Sequence, residues 1–67
     1  MIAIEVNGEL RTVPAKTTLL DLVAQLELGG QSVALAVNRS VVPRQVWPAR
    51  ELLADDKIEI VRAIGGG

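Results

Sequence analysis

Residues 18–30, which read TLLDLVAQLELGG, decide the fold because they contain the clearest helical spacing of apolar residues in the chain. Thr18 and Asp21 stand at the spacing of a capping box, in which each side chain pairs with a backbone amide at the start of a helix. Gly29-Gly30 would supply the left-handed residue at which many helices end. We therefore expect one helix over residues 19–28, with a buried stripe at positions i, i+3, i+4 and i+7 formed by Leu19, Leu22, Val23 and Leu26.

Two strands are expected before this helix. The N-terminal segment alternates apolar and polar residues, as a strand with one buried face does, and a second strand is expected over residues 9–13. A two-residue turn between them would pair Ile4 with Arg11 and mismatch the apolar faces, whereas a three-residue loop over residues 6–8 pairs Ile4 with Leu10. We therefore expect the three-residue loop, with its glycine in a left-handed bulge position.

Three more strands are expected after the helix, over residues 33–37, at Val41-Val42 and from residue 58 to about residue 62. Residues 44–56 show no strand alternation and are interpreted as an irregular connection, within which Asp55-Asp56 is expected to form a solvated turn. A single helix must bury its apolar stripe against one face of a sheet, so the order of elements predicts a two-layer α+β domain. Besides the helical stripe, we expect in or beside the core Ile2, Ile4, Leu35, Val37, Ile58 and Ile60.

Composition excludes several classes of function. The 67 residues include no cysteine and no histidine, so the chain lacks a thiol nucleophile, a disulfide and the usual zinc ligands, and Ser32, Ser40 and the threonines have no histidine to activate them. A net charge of -1, with Trp47 as the single aromatic residue, argues against a nucleic-acid partner. The longest apolar run, Val33 to Val37, is too short to span a membrane, and without a basic leader a cytoplasmic location is expected.

Three consecutive glycines, Gly65-Gly66-Gly67, follow the last predicted strand. Glycine adds nothing to a core, but it keeps the backbone free and lets an extended chain enter a narrow channel whose walls would collide with a β-carbon. The chemical group that such a tail would deliver is the α-carboxylate of Gly67. The simpler interpretations of a terminal glycine run are a cloning remnant or an ordinary frayed end.

The order of elements with a terminal diglycine resembles the β-grasp fold of ubiquitin and of the prokaryotic sulfur carriers. More specifically, ALAVNRSVVPR at residues 34–44, Trp47, DDKIEI at residues 55–60 and the final glycines resemble the ThiS family of sulfur carriers for thiamine biosynthesis. The resemblance implies a mixed sheet of four to five strands on one main helix, with the first and last strands parallel in the middle. It also implies a folded domain over residues 1–64 and a flexible tail over residues 65–67, in which Gly65 is additional to the diglycine that the family needs.

The resemblance further implies how the chain would act. A ubiquitin-activating-type adenylyltransferase would use ATP to convert the Gly67 carboxylate into an acyl-adenylate, and sulfur from a persulfide donor would displace AMP to leave a thiocarboxylate. Thiazole synthase would then receive the sulfur. The chain itself would be a co-substrate with no catalytic residue and no bound cofactor, and its partner-binding tail would comprise Ala63, Ile64, Gly65 and Gly66.

Alternatives stay open at this point. The chain could carry sulfur for molybdopterin, tRNA thiolation or cysteine synthesis, or it could be a ubiquitin-like tag or adaptor. Trp47 could anchor a partner, although an aromatic residue in the irregular connection more often covers the edge of a core. Arg39, Arg44 and Arg50 could form a basic rim that docks an acidic partner, or they could be ordinary surface charges.

Overall fold

The computed structural model describes residues 1–28 and 32–62. Within these ranges the chain forms five strands, one α-helix and one 3-10 turn. In chain order they are β1 (Ile2–Val6), β2 (Glu9–Val13), α1 (Leu19–Gln25), β3 (Val33–Val37), β4 (Ser40–Val42), the 3-10 turn (Arg44–Val46) and β5 (Lys57–Arg62).

The five strands form one mixed sheet in the order β2-β1-β5-β3-β4. Strands β1 and β5 run parallel, whereas β2 on β1, β3 on β5 and β4 on β3 are antiparallel. The first and last strands therefore lie side by side in the middle, and the predicted fold class is confirmed. Strand β5 pairs with β3 over residues 58–62, whereas β1 pairs with it only at Lys57 and Ile58.

Helix α1 begins as its sequence predicts. The hydroxyl of Thr18 accepts a hydrogen bond of 3.1 Å from the Asp21 amide, and the Asp21 carboxylate accepts one of 3.1 Å from the Thr18 amide, which completes the capping box. Leu19, Leu22 and Val23 are buried against the sheet, and Leu26 is only partly buried at the edge of the core. The predicted stripe is correct, but its last member contributes less burial than the other three.

The C-terminal end of α1 differs from the expectation of a helix reaching residue 28. Glu27 adopts the left-handed conformation with φ of 59°, and its amide donates to the carbonyl of Ala24 over 3.1 Å. The Leu28 amide donates to the carbonyl of Val23 over 3.0 Å, so the two bonds form a Schellman motif. A glutamate thus occupies the position where a glycine was expected, and Gly29-Gly30 lie outside the described residues.

The β1–β2 hairpin has a two-residue turn, so the expected three-residue loop over residues 6–8 is wrong. Asn7 and Gly8 both have positive φ, at 49° and 85°, which is the backbone pattern of a type I′ turn. Its twist matches that of the flanking strands, and Ile4 pairs with Arg11 as a consequence. The Asn-Gly pair itself therefore set the turn length.

The expectation failed because it required Leu10 to share the core face with Ile4. Strand β2 is an edge strand, and of its five residues only Val13 is buried. Leu10 lies on the opposite face and is 79% exposed. Because the helix does not cover this edge strand, β2 needs no continuous apolar face. Pairing its apolar residues with those of β1 therefore could not determine the register.

The connection between β4 and β5 is irregular, as expected, and it contains the 3-10 turn at Arg44–Val46. The segment then packs beside the start of α1, where the Leu52 amide donates to the carbonyl of Thr17 over 2.7 Å. Leu52 is 2% exposed. The connection therefore closes one end of the core.

The core lies between α1 and the facing side of the sheet, and it includes Trp47 from the irregular connection. All six strand residues expected in or beside the core are found there. Four are buried and the other two, Ile2 and Ile60, are partly buried and packed against it. The buried apolar residues are Ile4, Val6, Val13, Leu19, Leu22, Val23, Leu35, Val37, Trp47, Leu52 and Ile58.

Candidate functional site

Strand β5 leads directly into the segment that the sequence singles out as functional. Its last residue, Arg62, pairs with Val33 of β3 and is the last residue that the structure describes. The predicted partner-binding tail, residues 63–66, and the predicted modification site at Gly67 lie outside the described residues. The structure therefore describes the strand that precedes the tail, and the roles of the tail residues remain predictions.

On its β1 side, β5 is held partly by a side chain. The pairing of β1 with β5 ends at Val6 and Ile58, and the Asn7 amide donates to the carbonyl of Ile58 over 2.9 Å. Beyond that point the Asn7 side chain takes over, with Oδ1 accepting from the Ile60 amide over 2.8 Å and Nδ2 donating to the Ile60 carbonyl over 3.4 Å. Sequence reasoning treated Asn7 only as a turn residue, and the turn signal gave no separate sign of this contact.

A second asparagine holds the beginning of β5. Asn38, with φ of 51°, lies in the two-residue turn between β3 and β4. Its backbone amide donates to the Lys57 carbonyl over 2.8 Å, and its Oδ1 accepts from the Lys57 amide over 3.1 Å. Two turns therefore fasten β5, one on each of its edges, with Asn38 at its beginning and Asn7 nearer its end.

The expected solvated turn at Asp55-Asp56 is wrong for one of its residues. Asp55 is exposed, with φ of 70°, but Asp56 is 5% exposed. Its carboxylate accepts hydrogen bonds from the Leu53 amide at 2.9 Å and from Asn38 Nδ2 at 3.0 Å, and Arg50 Nη2 lies 3.3 Å away in a salt bridge. A buried carboxylate is stable here because three donors surround it. Asp56 is therefore a structural residue.

The sheet face opposite α1 carries an apolar surface beside the exit of β5, which we call the outer patch and define as Ala34, Val41 and Val61. Val61 is 63% exposed and Val41 is 76% exposed, and all three residues line one shallow groove. Strand pairing places Ala34 against Val61 on this face. Sequence reasoning placed Val61 within the last predicted strand but did not single it out. The signal that could have revealed the outer patch was an aliphatic residue, Val61, on the strand face away from the helix, where a polar residue is usual.

Trp47 belongs to the core. Its side chain is 1% exposed, and its Nε1 donates to the carbonyl of Val42 over 2.9 Å. The guanidinium carbon of Arg44 lies 5.0 Å from the centroid of the indole ring, within the range of a cation–π contact. The interpretation of Trp47 as a cover for the core edge is confirmed, and a buried side chain of this kind does not anchor a partner.

The three arginines proposed as a basic rim have three different surroundings. Arg39 lies exposed in the β3–β4 turn with φ of 70°, Arg44 contacts Trp47, and Arg50 pairs with the buried Asp56. Arg50 thus has a structural task, and a shared docking role for all three stays a prediction.

The described residues offer no centre for metal chemistry. Within residues 1–28 and 32–62, no group of three acidic side chains is placed to hold a metal ion. No helix in the same ranges is long and apolar enough to cross a membrane. The features of the described residues that bear on function are therefore the end of β5 and the outer patch beside it.

Comparisons with known proteins agree with this arrangement. The family model described as the ThiS family matches residues 4–67. A thiazole synthase of Magnetococcus marinus is 42% identical over 64 residues, which cover 96% of this chain and 20% of that protein, so the chain spans about one fifth of the length of that relative. The sulfur carrier protein ThiS of Escherichia coli is 31% identical over 61 residues, covering 91% of this chain and 92% of that protein.

A solved structure shows the same fold. The crystal structure of the thiamine biosynthesis protein ThiS from Geobacter metallireducens superposes with a TM-score of 0.83 at 26% identity, covering 98% of this chain and all of that one. The observed sheet order, with its central parallel pair, is therefore the architecture of a β-grasp domain. Because the family model extends over residues 4–67 and the fold agrees with it, the chain belongs to the ThiS family.

Proposed function

We propose that this protein is a sulfur carrier for thiamine biosynthesis. The observation that carries the proposal is the family match over residues 4–67, which includes both the folded domain and the glycine tail. The likeness to the sulfur carrier protein ThiS of E. coli, over nearly the full length of both chains, supports it. In this proposal the protein is a co-substrate, and partner enzymes supply the catalytic groups.

The reactive group in the proposal is the α-carboxylate of Gly67. A carboxylate is a weak electrophile, so an adenylyltransferase first joins it to AMP from ATP and releases pyrophosphate. The terminal sulfur of a persulfide then attacks the acyl carbon and AMP leaves. Cleavage of the remaining sulfur–sulfur bond by a thiol reductant gives the thiocarboxylate. The chain has no cysteine, so no internal thiol can attack the activated end.

The outer patch is the surface that we assign to docking of the adenylyltransferase. Val61 lies near the end of β5, two positions before residue 63, and its side chain is 63% exposed. Val41 of β4 is 76% exposed. An enzyme that binds the tail in a channel must also cover the surface from which the tail starts. Burying these aliphatic side chains would supply apolar contact area at that point.

The likeness to thiazole synthase supports the choice of acceptor. A segment similar to this chain makes up about one fifth of the thiazole synthase of Magnetococcus marinus. A carrier-like segment joined to such an enzyme is consistent with sulfur delivery to thiazole synthase. This favours thiamine biosynthesis over the molybdopterin, tRNA and cysteine pathways considered from the sequence.

A complementation experiment tests the pathway. A bacterial strain that lacks its own ThiS, and therefore needs thiamine for growth, is supplied with this chain or with a variant lacking Gly67. We expect growth without thiamine for the parent chain and none for the variant, with both proteins present at equal levels. Failure of the parent chain to restore growth, together with rescue of a strain deficient in another sulfur carrier, would contradict the assignment.

A further inference from the structure

The Asn7 side chain continues a strand ladder after the strand itself has turned away. In the parallel pair, the Glu5 amide donates to the Asp56 carbonyl and the Asn7 amide donates to the Ile58 carbonyl, each over 2.9 Å. The next acceptor and the next donor along this edge of β5 belong to Ile60. Both are met by the Asn7 side chain, at 2.8 Å to the Ile60 amide and 3.4 Å to its carbonyl.

A primary amide can make these contacts because it carries one carbonyl and one N–H donor group, as a peptide group does. The turn supplies the geometry, since Asn7 has φ of 49° and asparagine tolerates the left-handed region better than most residues. Without this side chain, the pairing on this edge would stop at Ile58. Residues 59–62 would then be held by β3 alone.

We propose that Asn7 is a positioning residue for the tail. By fixing Ile60 on its second edge, it holds the end of β5 in place, so that less of the chain must be ordered when the adenylyltransferase binds the tail. The inference rests on the proposed function. Asn7 belongs to the β1–β2 turn, and Ile60, the residue of β5 that it holds, is 53 positions away in sequence.

The physical basis is the entropy of the chain that must be ordered when the tail enters its channel. Ordering one further backbone residue changes a binding constant by roughly tenfold. Releasing the Ile60 edge should therefore weaken binding of the carrier to the enzyme by about that factor. Chemistry at the Gly67 carboxylate, once the tail is bound, should change little.

The test compares Asn7→Gly with Asn38→Gly. Glycine accepts positive φ, so both variants keep their two-residue turns. Asn7→Gly loses its side-chain contacts to Ile60, whereas Asn38→Gly loses its contact to Lys57 and also its hydrogen bond to the Asp56 carboxylate. Asn38 fastens the start of the same strand through the Lys57 amide, so it is a matched control at the end away from the tail. Asn7→Asp is the conservative variant, because a carboxylate still accepts from the Ile60 amide.

Two measurements are made on the four proteins, parent included. Amide hydrogen exchange by NMR reports protection of Ile60 and Lys57 in the free protein, and ATP–pyrophosphate exchange with the adenylyltransferase gives KM for the carrier and kcat. For Asn7→Gly we expect at least about tenfold faster exchange at Ile60 and a KM raised about tenfold with kcat little changed. For Asn38→Gly we expect faster exchange at Lys57 and parental kinetics, and for Asn7→Asp a KM nearer that of the parent.

Loss of Ile60 protection in Asn7→Gly with a parental KM would overturn the positioning role. Unchanged protection of Ile60 would overturn the anchor itself. If the parent supports no pyrophosphate exchange, the proposed function fails and the positioning role falls with it, whereas the hydrogen-exchange rates still decide whether Asn7 anchors β5.

Discussion

The indole of Trp47 donates a hydrogen bond from Nε1 to the carbonyl of Val42, 2.9 Å away, and so ties the irregular connection to the last residue of β4. The ring is 1% exposed, which makes it one of the most deeply buried large side chains in the domain. Strand β4 is a three-residue edge strand with few ladder bonds of its own. The indole therefore supports the strand that carries Val41 of the outer patch.

Replacing Trp47 tests this support. Trp47→Phe keeps most of the apolar volume but removes the donor to Val42, and we expect it to lower the free energy of unfolding by about 1–3 kcal/mol. Trp47→Ala should lower it by about 3–5 kcal/mol, because it also leaves a cavity. Urea unfolding followed by circular dichroism measures both, since the variants lack the single tryptophan needed for fluorescence. Equal stability of parent and Trp47→Phe would contradict the role of the hydrogen bond.

Asp56 and Asp55 are adjacent but should respond differently to the same change. Asp56→Asn replaces a carboxylate that accepts from the Leu53 amide, Asn38 and Arg50, and it presents an amide donor where only acceptors fit. We expect a loss of about 1–3 kcal/mol. Asp55→Asn is the matched control at an exposed position, where an effect within about 0.5 kcal/mol is expected. Similar unfolding midpoints for the two variants would show that the buried carboxylate contributes nothing.

Two leucines of α1 should differ in their contribution to stability. Leu22 is 0% exposed, so Leu22→Ala should lower the free energy of unfolding by about 2–5 kcal/mol. Leu26 is only partly buried at the helix end, so Leu26→Ala should have a clearly smaller effect. Urea titration of both variants provides the comparison. A larger loss at Leu26 would mean that the helix packs on the sheet in another orientation.

The outer patch is tested by a charge at Val61. Val61→Asp places a carboxylate on the proposed docking surface, and we expect the kcat/KM of carrier adenylation to fall by at least about tenfold, as substitutions at central interface positions do. Leu10→Asp is the control, because Leu10 is 79% exposed on the same sheet face but on edge strand β2. Equal kinetics for both variants would place the docking surface elsewhere.

Sequence reasoning identified the elements that depend on local signals. The capping box at Thr18 and Asp21 and the apolar spacing that follows it fixed the start and the buried face of α1, and alternation located β3 and β5. The end of α1 was misjudged because the hydrogen bonds of a Schellman motif can hold Glu27 in a conformation that glycine usually takes.

Two of the failures concern relationships that no local pattern encodes. Asp56 is buried because Asn38, 18 positions away, and Arg50 both reach its carboxylate. The contact of Asn7 with Ile60 depends on the two strands being neighbours in a sheet, across 53 positions. The turn at Asn7-Gly8 is a different case, because the Asn-Gly pair is itself a local signal for a two-residue turn. It was misassigned because the matching of apolar faces was given more weight, although β2 is an exposed edge strand.

The central claim is that the Gly67 carboxylate is the group that acquires sulfur, and intact mass spectrometry tests it most directly. The parent chain and a variant with one alanine added after Gly67 are each incubated with the adenylyltransferase, ATP and the persulfide donor system. The added alanine lies outside the core, so both proteins should fold. We expect the parent to gain the mass difference between one sulfur and one oxygen, located at Gly67 by fragmentation, and the extended variant to gain nothing. Sulfur acquired by the extended variant at the parental rate, or never by the parent, would contradict the account.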